Sequence, residues 1–214
     1  ISGTGRTFTS LVNASGSQLL VTGVALDARN ATNLSHAVVT LSGGGTANLD
    51  KAQNIDGGSF FVSGGVTLAL PGVQPSFNHA STGNSQYLTF RASGTNTVLD
   101  LHNLKQITNG THYDSNIVIE ALSGGTVDLS GVTDIVDQTG GDVRYRAVSV
   151  TADGTNSKVK LNSLVRFTDV YAGGDGTGEA RFSSLTPKNG GTIDAAALTD
   201  LQGVLLTLDG TGTL

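Results

Sequence analysis

One order of residues returns along this chain, and it constrains the fold more than any other feature. Residues 121–135 read ALSGGTVDLSGVTDI: the end of an apolar strand, a Ser-Gly-Gly corner, a short alternating strand, and apolar residues spaced by three at Leu129, Val132 and Ile135. The same order recurs at 41–55 around Leu49, at 63–73 around Leu70 and at 92–107 around Leu101. It recurs again at 152–167 around Leu161 and at 189–201 around Ala195. Residues 14–24, around Val21, read as the first occurrence. The anchors Val21, Leu49, Leu70, Leu101, Leu129, Leu161 and Ala195 lie 21 to 34 residues apart, about 29 on average. A unit this short cannot bury its own apolar face, but stacked copies can, so the recurrence predicts a solenoid.

Period-two alternation makes the stacked elements strands. In Thr126-Val127-Asp128-Leu129 and Ile117-Val118-Ile119-Glu120-Ala121, apolar and polar residues take opposite faces. Parallel stacking then predicts one inward row of Leu99, Val127, Val159 and Ile193, and another of Leu101, Leu129, Leu161 and Ala195. Helix is the main rival for the apolar tails, but His102-Asn103 and Ser130-Gly131 are poor helix formers there. An antiparallel sandwich needs regular hairpin turns and does not explain the long recurrence.

Composition agrees. The 214 residues include 30 Gly and only 3 Pro, with no Cys, Met or Trp. Charged residues are 14%, against about 25% in ordinary domains. Scattered basic residues and a net charge of −5 argue against nucleic acid as a partner. No apolar run is long enough for a membrane span, and the lack of Cys excludes disulfides and thiolate metal sites. The chain begins at Ile1, as a processed or excised product would. Residues 206–212 restart the strand-then-corner order without a polar capping repeat. The expectation is a single β-solenoid domain over 1–214 that is a fragment of a longer array, or one with an end covered by another chain.

The turns SGGTVDLSGVTDI and SGTNTVLDLHNLKQIT resemble coils of right-handed parallel β-helices of the kind found in secreted bacterial surface proteins and adhesins. The spacing of Leu99, Leu101, Leu104 and Ile107 is also similar to that of leucine-rich and receptor-L-type repeats. The resemblance covers roughly residues 14–214. The fold class expected is therefore all-β: a right-handed parallel β-helix of about seven coils. The resemblance implies a secreted or cell-surface setting. It spans adhesins, phage tail proteins and polysaccharide lyases and hydrolases, so fold does not choose the function.

Asn48, Asp100, Asp128, Lys160 and Asp194 should form an outward polar ladder, with rungs about 4.8 Å apart. His102 points to the same side as Asp100. Paired carboxylates can split their pKa values into an acid and a base, so Asp100, Asp128, His102 and Lys160 are the candidate catalytic set of an enzyme reading. The resemblance implies clustered carboxylates in β-helix hydrolases, and Arg or Lys with Ca²⁺ in the lyases. Opposite charges on neighbouring strands serve a solvated face equally well. Arg91 and Glu120 share a repeat position and should pair. Arg144-Tyr145-Arg146 alternates basic and aromatic residues; it reads as a strand face and is the candidate ligand-binding patch, for a glycan or an anion. Tyr87, Tyr113 and Tyr171 form no evident stacking platform.

His102, His112 and Asp114 suit Zn²⁺ by type but not by spacing, and no metal site or cofactor is expected. The single Gly-Asp stretch at 173–179, with Asp137, Asp142 and Asp153, leaves Ca²⁺ as the one cation to consider. The sequence thus predicts a non-catalytic segment of an extracellular or cell-surface repeat protein. Its role is structural or adhesive, with a polysaccharide or surface ligand as partner. The alternatives are a polysaccharide-degrading β-helix enzyme and a scaffold that self-associates end to end.

Overall fold

A computed structural model describes residues 4–171, 178 and 180–214. It is an all-β parallel β-helix: every paired strand runs parallel to its neighbours, and no helix occurs among the described residues. None of the described segments is therefore a helix long and apolar enough to cross a membrane.

One coil shows how the sequence makes a triangle. Strand Asn116–Leu122 lies on the first face, strand Thr126–Asp128 on the second and strand Asp134–Asp137 on the third. On the first face, eight strands stack from Gln18–Thr22 to Val204–Leu206. The second face carries a three-stranded sheet beginning at Arg6–Thr7 and a five-stranded one ending at Thr192–Asp194. The third face carries five strands, Ser76–Asn78 to Asp200–Gln202, and single bridges between Asn13, Asn33 and Asn54 continue it toward the N-terminus.

The expected rows form. Leu99 pairs with Val127, Val127 with Val159, and Val159 with Ile193. Leu101, Leu129 and Leu161 are wholly buried, and Ala195 nearly so. Phe90 interlocks with Phe60 and Phe77 of the preceding coil, with ring centroids 5.8 Å and 4.8 Å away. Such pairs add about 0.5–1.5 kcal/mol to the burial itself.

The N-terminal register differs from the sequence expectation. Val21 pairs with Leu41 on the first face, so it is not the equivalent of Leu49. Asp27 pairs with Asn48, which gives that position to Ala28. The first coils are also shorter than the average. Contacts between neighbouring coils join residues 20 to 22 apart near the N-terminus, 29 to 32 apart in the middle and 36 apart at Asp153–Asn189. The separation returns to 21 at Gly190–Thr211. The short coils lack the wide loops that follow the third face further on.

From Ser63 onward the corners after the first face alternate between two kinds. Ser63-Gly64-Gly65, Ser123-Gly124-Gly125 and Asn189-Gly190-Gly191 are tight. Between them stand the longer corners Ser93-Gly94-Thr95-Asn96-Thr97 and Asp153-Gly154-Thr155-Asn156-Ser157, in which Asn96 and Asn156 have positive φ. Adjacent corners lock together. Gly65 donates its amide to Thr97 Oγ1 at 2.9 Å, Gly124 donates to Ser157 Oγ at 2.9 Å, and Gly190 donates to Thr211 Oγ1 at 3.0 Å. The hydroxyls pass the bond on, Thr97 to the Ser93 carbonyl and Ser157 to the Asp153 carbonyl. From Ser63 onward the structural period at this edge is therefore two coils.

Gly125 is held by space: a Cβ there would lie 2.3 Å from the Ala92 carbonyl oxygen. Gly125→Ala should lower stability by about 1–3 kcal/mol through overpacking against backbone. Gly83→Ala, which meets nothing within 4 Å, should be neutral or slightly stabilising. Urea denaturation of the two variants checks this contrast.

Candidate functional site

The candidate catalytic ladder stacks as expected but is occupied by structural work. Asp100 pairs in register with Asp128, and Asp128 with Lys160. Each polar side chain sits at the end of a second-face strand, where the chain must turn. Asp100 Oδ1 accepts the His102 amide at 3.1 Å, and Asp128 Oδ1 accepts the Ser130 amide at 3.1 Å. Asn48 accepts from Asp50, and Asp27 from Arg29, in the same way. These are Asx turns, in which a short carbonyl-bearing side chain caps the backbone two residues on. The carboxylates also have side-chain partners. His102 Nδ1 lies 2.6 Å from Asp100 Oδ1, and Lys160 donates to Asp128 Oδ2 at 2.8 Å. Partial burial pushes the Asp128 carboxyl up, but the hydrogen bonds from Lys160 and Ser130 outweigh it and hold the group below the usual range. Arg91 and Glu120 pair as expected, at 2.6 Å.

Arg144-Tyr145-Arg146 is not a strand face. Arg144 and Tyr145 form the turn before strand Ala147–Asp153, with Tyr145 at positive φ. The triplet therefore splits. Arg146 is buried, so it is no surface ligand. It donates to the carbonyls of Gly110 at 2.9 Å and Gly140 at 2.7 Å, and to that of Gln138. It also lies 3.1 Å from Asp137 Oδ1 in a pair that solvent barely reaches. Through these contacts Arg146 fixes the loop that presents Arg144 and Tyr145.

Tyrosines from separate coils meet at that loop, which the sequence spacing does not reveal. Tyr113 and Tyr145 pack edge to face with centroids 5.8 Å apart. The Arg144 guanidinium lies 5.0 Å from the Tyr113 centroid. Arg181 reaches in from a later coil, 5.8 Å from the Tyr87 ring and 5.9 Å from that of Tyr145. Tyr87 donates its hydroxyl to Asp114 at 2.7 Å, and Arg181 donates to the same carboxylate at 3.0 Å. Arg144 holds Asp142 through two hydrogen bonds, which bring that carboxyl down to about 2. Tyr87 is half exposed and the neighbouring Phe182 is exposed. The result is a rigid aromatic and guanidinium surface whose charges are internally balanced.

Beneath it lies a buried polar ladder at the end of the third face. Asn109 donates to Asp137 Oδ2 at 3.0 Å and to the Ser115 carbonyl at 2.9 Å. Asp137 pairs in register with Asp169, which accepts the Ser183 amide at 2.9 Å. Burial pushes the Asp137 carboxyl up to about 7 against the opposing pull of Arg146 and Asn109. Asp169 is likewise raised by burial.

Of the acidic residues considered for Ca²⁺, Asp137 is buried with Arg146, Asp142 is held by Arg144, and Asp153 meets Lys188 at 3.3 Å. The stretch 173–179 lies outside the described residues apart from Gly178. Among the described residues no three His, Asp or Glu side chains converge as a metal site would require. Comparison with known proteins gave no match among family models, curated proteins or solved structures.

Asp137 sets a pH test. Its folded pKa lies above its unfolded value, so between pH of about 4 and about 7 the native state holds the proton more tightly. Its contribution is complete below that window and is lost as pH rises through it. His79, lowered chiefly by burial, acts in the opposite sense, so the comparison must be a difference. The stability of wild type relative to Asp137→Asn should fall as pH rises from 4 to 7 and then level off. Denaturation midpoints across that range measure it.

Proposed function

We propose that this chain is a non-catalytic β-helix of an exported or cell-surface protein. Its role is structural and adhesive, and it contacts polysaccharide through the tyrosine and arginine corner. The observation that carries the reading is the gathering of Tyr87, Tyr113, Tyr145, Arg144 and Arg181 from four successive coils into one surface. Aromatic rings beside fixed hydrogen-bonding groups suit the flat apolar faces and hydroxyl edges of sugars. A stack of coils braced by backbone bonds holds such a surface without loss of conformational freedom on binding.

The resemblance to β-helices of bacterial surface proteins supports the same setting. The enzyme reading loses support at the ladder. A glycoside hydrolase needs a raised and a lowered carboxyl facing one bond. Asp128 is lowered by Lys160 and Ser130, while the raised carboxyls of Asp137 and Asp169 are buried away from any polymer. With a panel of neutral and acidic polysaccharides, the expected result is retention on at least one polymer with no change in its chain length. Shortening of any polymer by the wild type, lost on combined Asp100→Ala and Asp128→Ala, would replace this reading with the enzymatic one.

A further inference from the structure

A groove of about 500 Å³ opens beside the tyrosine corner, where the coils change length. In the shorter coils the chain passes almost directly from Asn33 to strand Val38–Ser42, and from Asn54 to strand Ser59–Ser63. In the next coil residues 79–86 intervene before strand Tyr87–Ser93. This longer rim stands over the ends of the two strands before it. Val38 and Ser59 line the groove from the short coils, and Thr82, Gln86 and Tyr87 line it from the long one. Gln86 also ties the rim to itself, accepting the Thr82 amide at 2.8 Å and donating to the Thr82 hydroxyl at 3.0 Å.

The chemistry of this lining is specific. It contains an exposed tyrosine ring, hydroxyls, an amide, two imidazoles and two aliphatic side chains, but no Asp, Glu, Lys or Arg. His79, at the inner wall, is lowered chiefly by burial and is neutral at neutral pH. The nearest guanidiniums offer no unbalanced charge, because Arg181 is paired with Asp114 and Arg144 with Asp142. An acidic polymer or a phosphate would need free cations, and the chain as a whole is negative. A neutral pyranose needs an aromatic platform for its C–H face and neutral donors and acceptors for its hydroxyls. The groove volume lies within the range of small-ligand sites.

We infer that this groove binds a neutral saccharide, with Tyr87 as the stacking platform and the Thr82–Gln86 rim and Ser59 as hydrogen-bonding groups. The inference rests on the adhesive reading and names its ligand class. Because no Asp, Glu, Lys or Arg lines the groove, binding is insensitive to salt.

The test is calorimetric titration of the whole chain with short cello-, malto-, xylo- and chito-oligosaccharides and with oligogalacturonate, at low and high salt. At least one neutral series should bind equally at both salt levels. Tyr87→Ala should weaken that binding by about tenfold or more, the loss expected of a central aromatic contact. Tyr87→Phe should retain it, because the ring and not the hydroxyl makes the contact. Val38→Trp, which fills the groove from the opposite wall, should abolish it, with circular dichroism confirming that each variant folds. Binding of oligogalacturonate alone, or neutral binding untouched by Tyr87→Ala and Val38→Trp, would overturn the groove assignment. Retention of the wild type on a polysaccharide would still uphold the adhesive reading in that case. Failure to bind any oligosaccharide or polymer would remove both.

Discussion

Each coil must lie in parallel register on the one before it, and every other property of this fold depends on that registration. Parallel strands bury their apolar faces only if inward residues stack on inward residues, and a slip by one residue would turn every Leu and Val outward. The corners after the first face hold the register. Their glycines approach the backbone below too closely for a side chain, as Gly125 does at Ala92. Their amides reach the hydroxyl of the adjacent corner, as Gly124 does at Ser157. A tight corner and a long hydroxyl-bearing corner form a matched pair, which accounts for their strict alternation from Ser63 to Ser157.

Registration also explains why carboxylates line up along the second face. The chain turns at the same position in successive coils, and Asp27, Asn48, Asp100 and Asp128 cap that turn, while Ala69 and Lys160 occupy the same register without a capping oxygen. Asn and Asp serve alike because the turn uses a side-chain oxygen, not a charge. Where two Asp residues become neighbours, Lys160 offsets the accumulated charge. Where coils lengthen, loops of unequal size meet above the frame and bring together side chains as far apart in sequence as Tyr87 and Arg181, 94 residues.

The sequence carries the frame in legible form because the frame is periodic. The rows through Val127 and Leu129 and the Arg91–Glu120 pair can be read by aligning repeats. Ala28 escaped because a small residue gives a weak apolar signal and the first coils are short. The tyrosine surface escaped for a different reason. The turn before each first-face strand recurs, with Ser85, Asp114 and Tyr145 at positive φ two residues ahead of the strand, but Tyr87, Tyr113 and Tyr145 stand at three different positions relative to it, so aligning repeats does not bring them together. Arg146 looks like a surface cation in Arg144-Tyr145-Arg146, and its burial depends on Asp137 and three carbonyls brought in by tertiary structure. Positions that repeat the same residue type are thus readable from one chain, and contacts between unlike positions of successive coils are not.

That the polar ladder caps turns is tested most directly by exchanging its carboxylates for amides. Thermal unfolding of Asp100→Asn and Asp128→Asn should differ little from wild type, because Asn keeps the accepting oxygen, as Asn48 already does. Asp100→Ala and Asp128→Ala should each lose about 0.5–2 kcal/mol, the usual cost of removing a side-chain cap. Asn variants as unstable as the Ala variants would contradict the account, since charge and not the turn oxygen would then be what the ladder supplies.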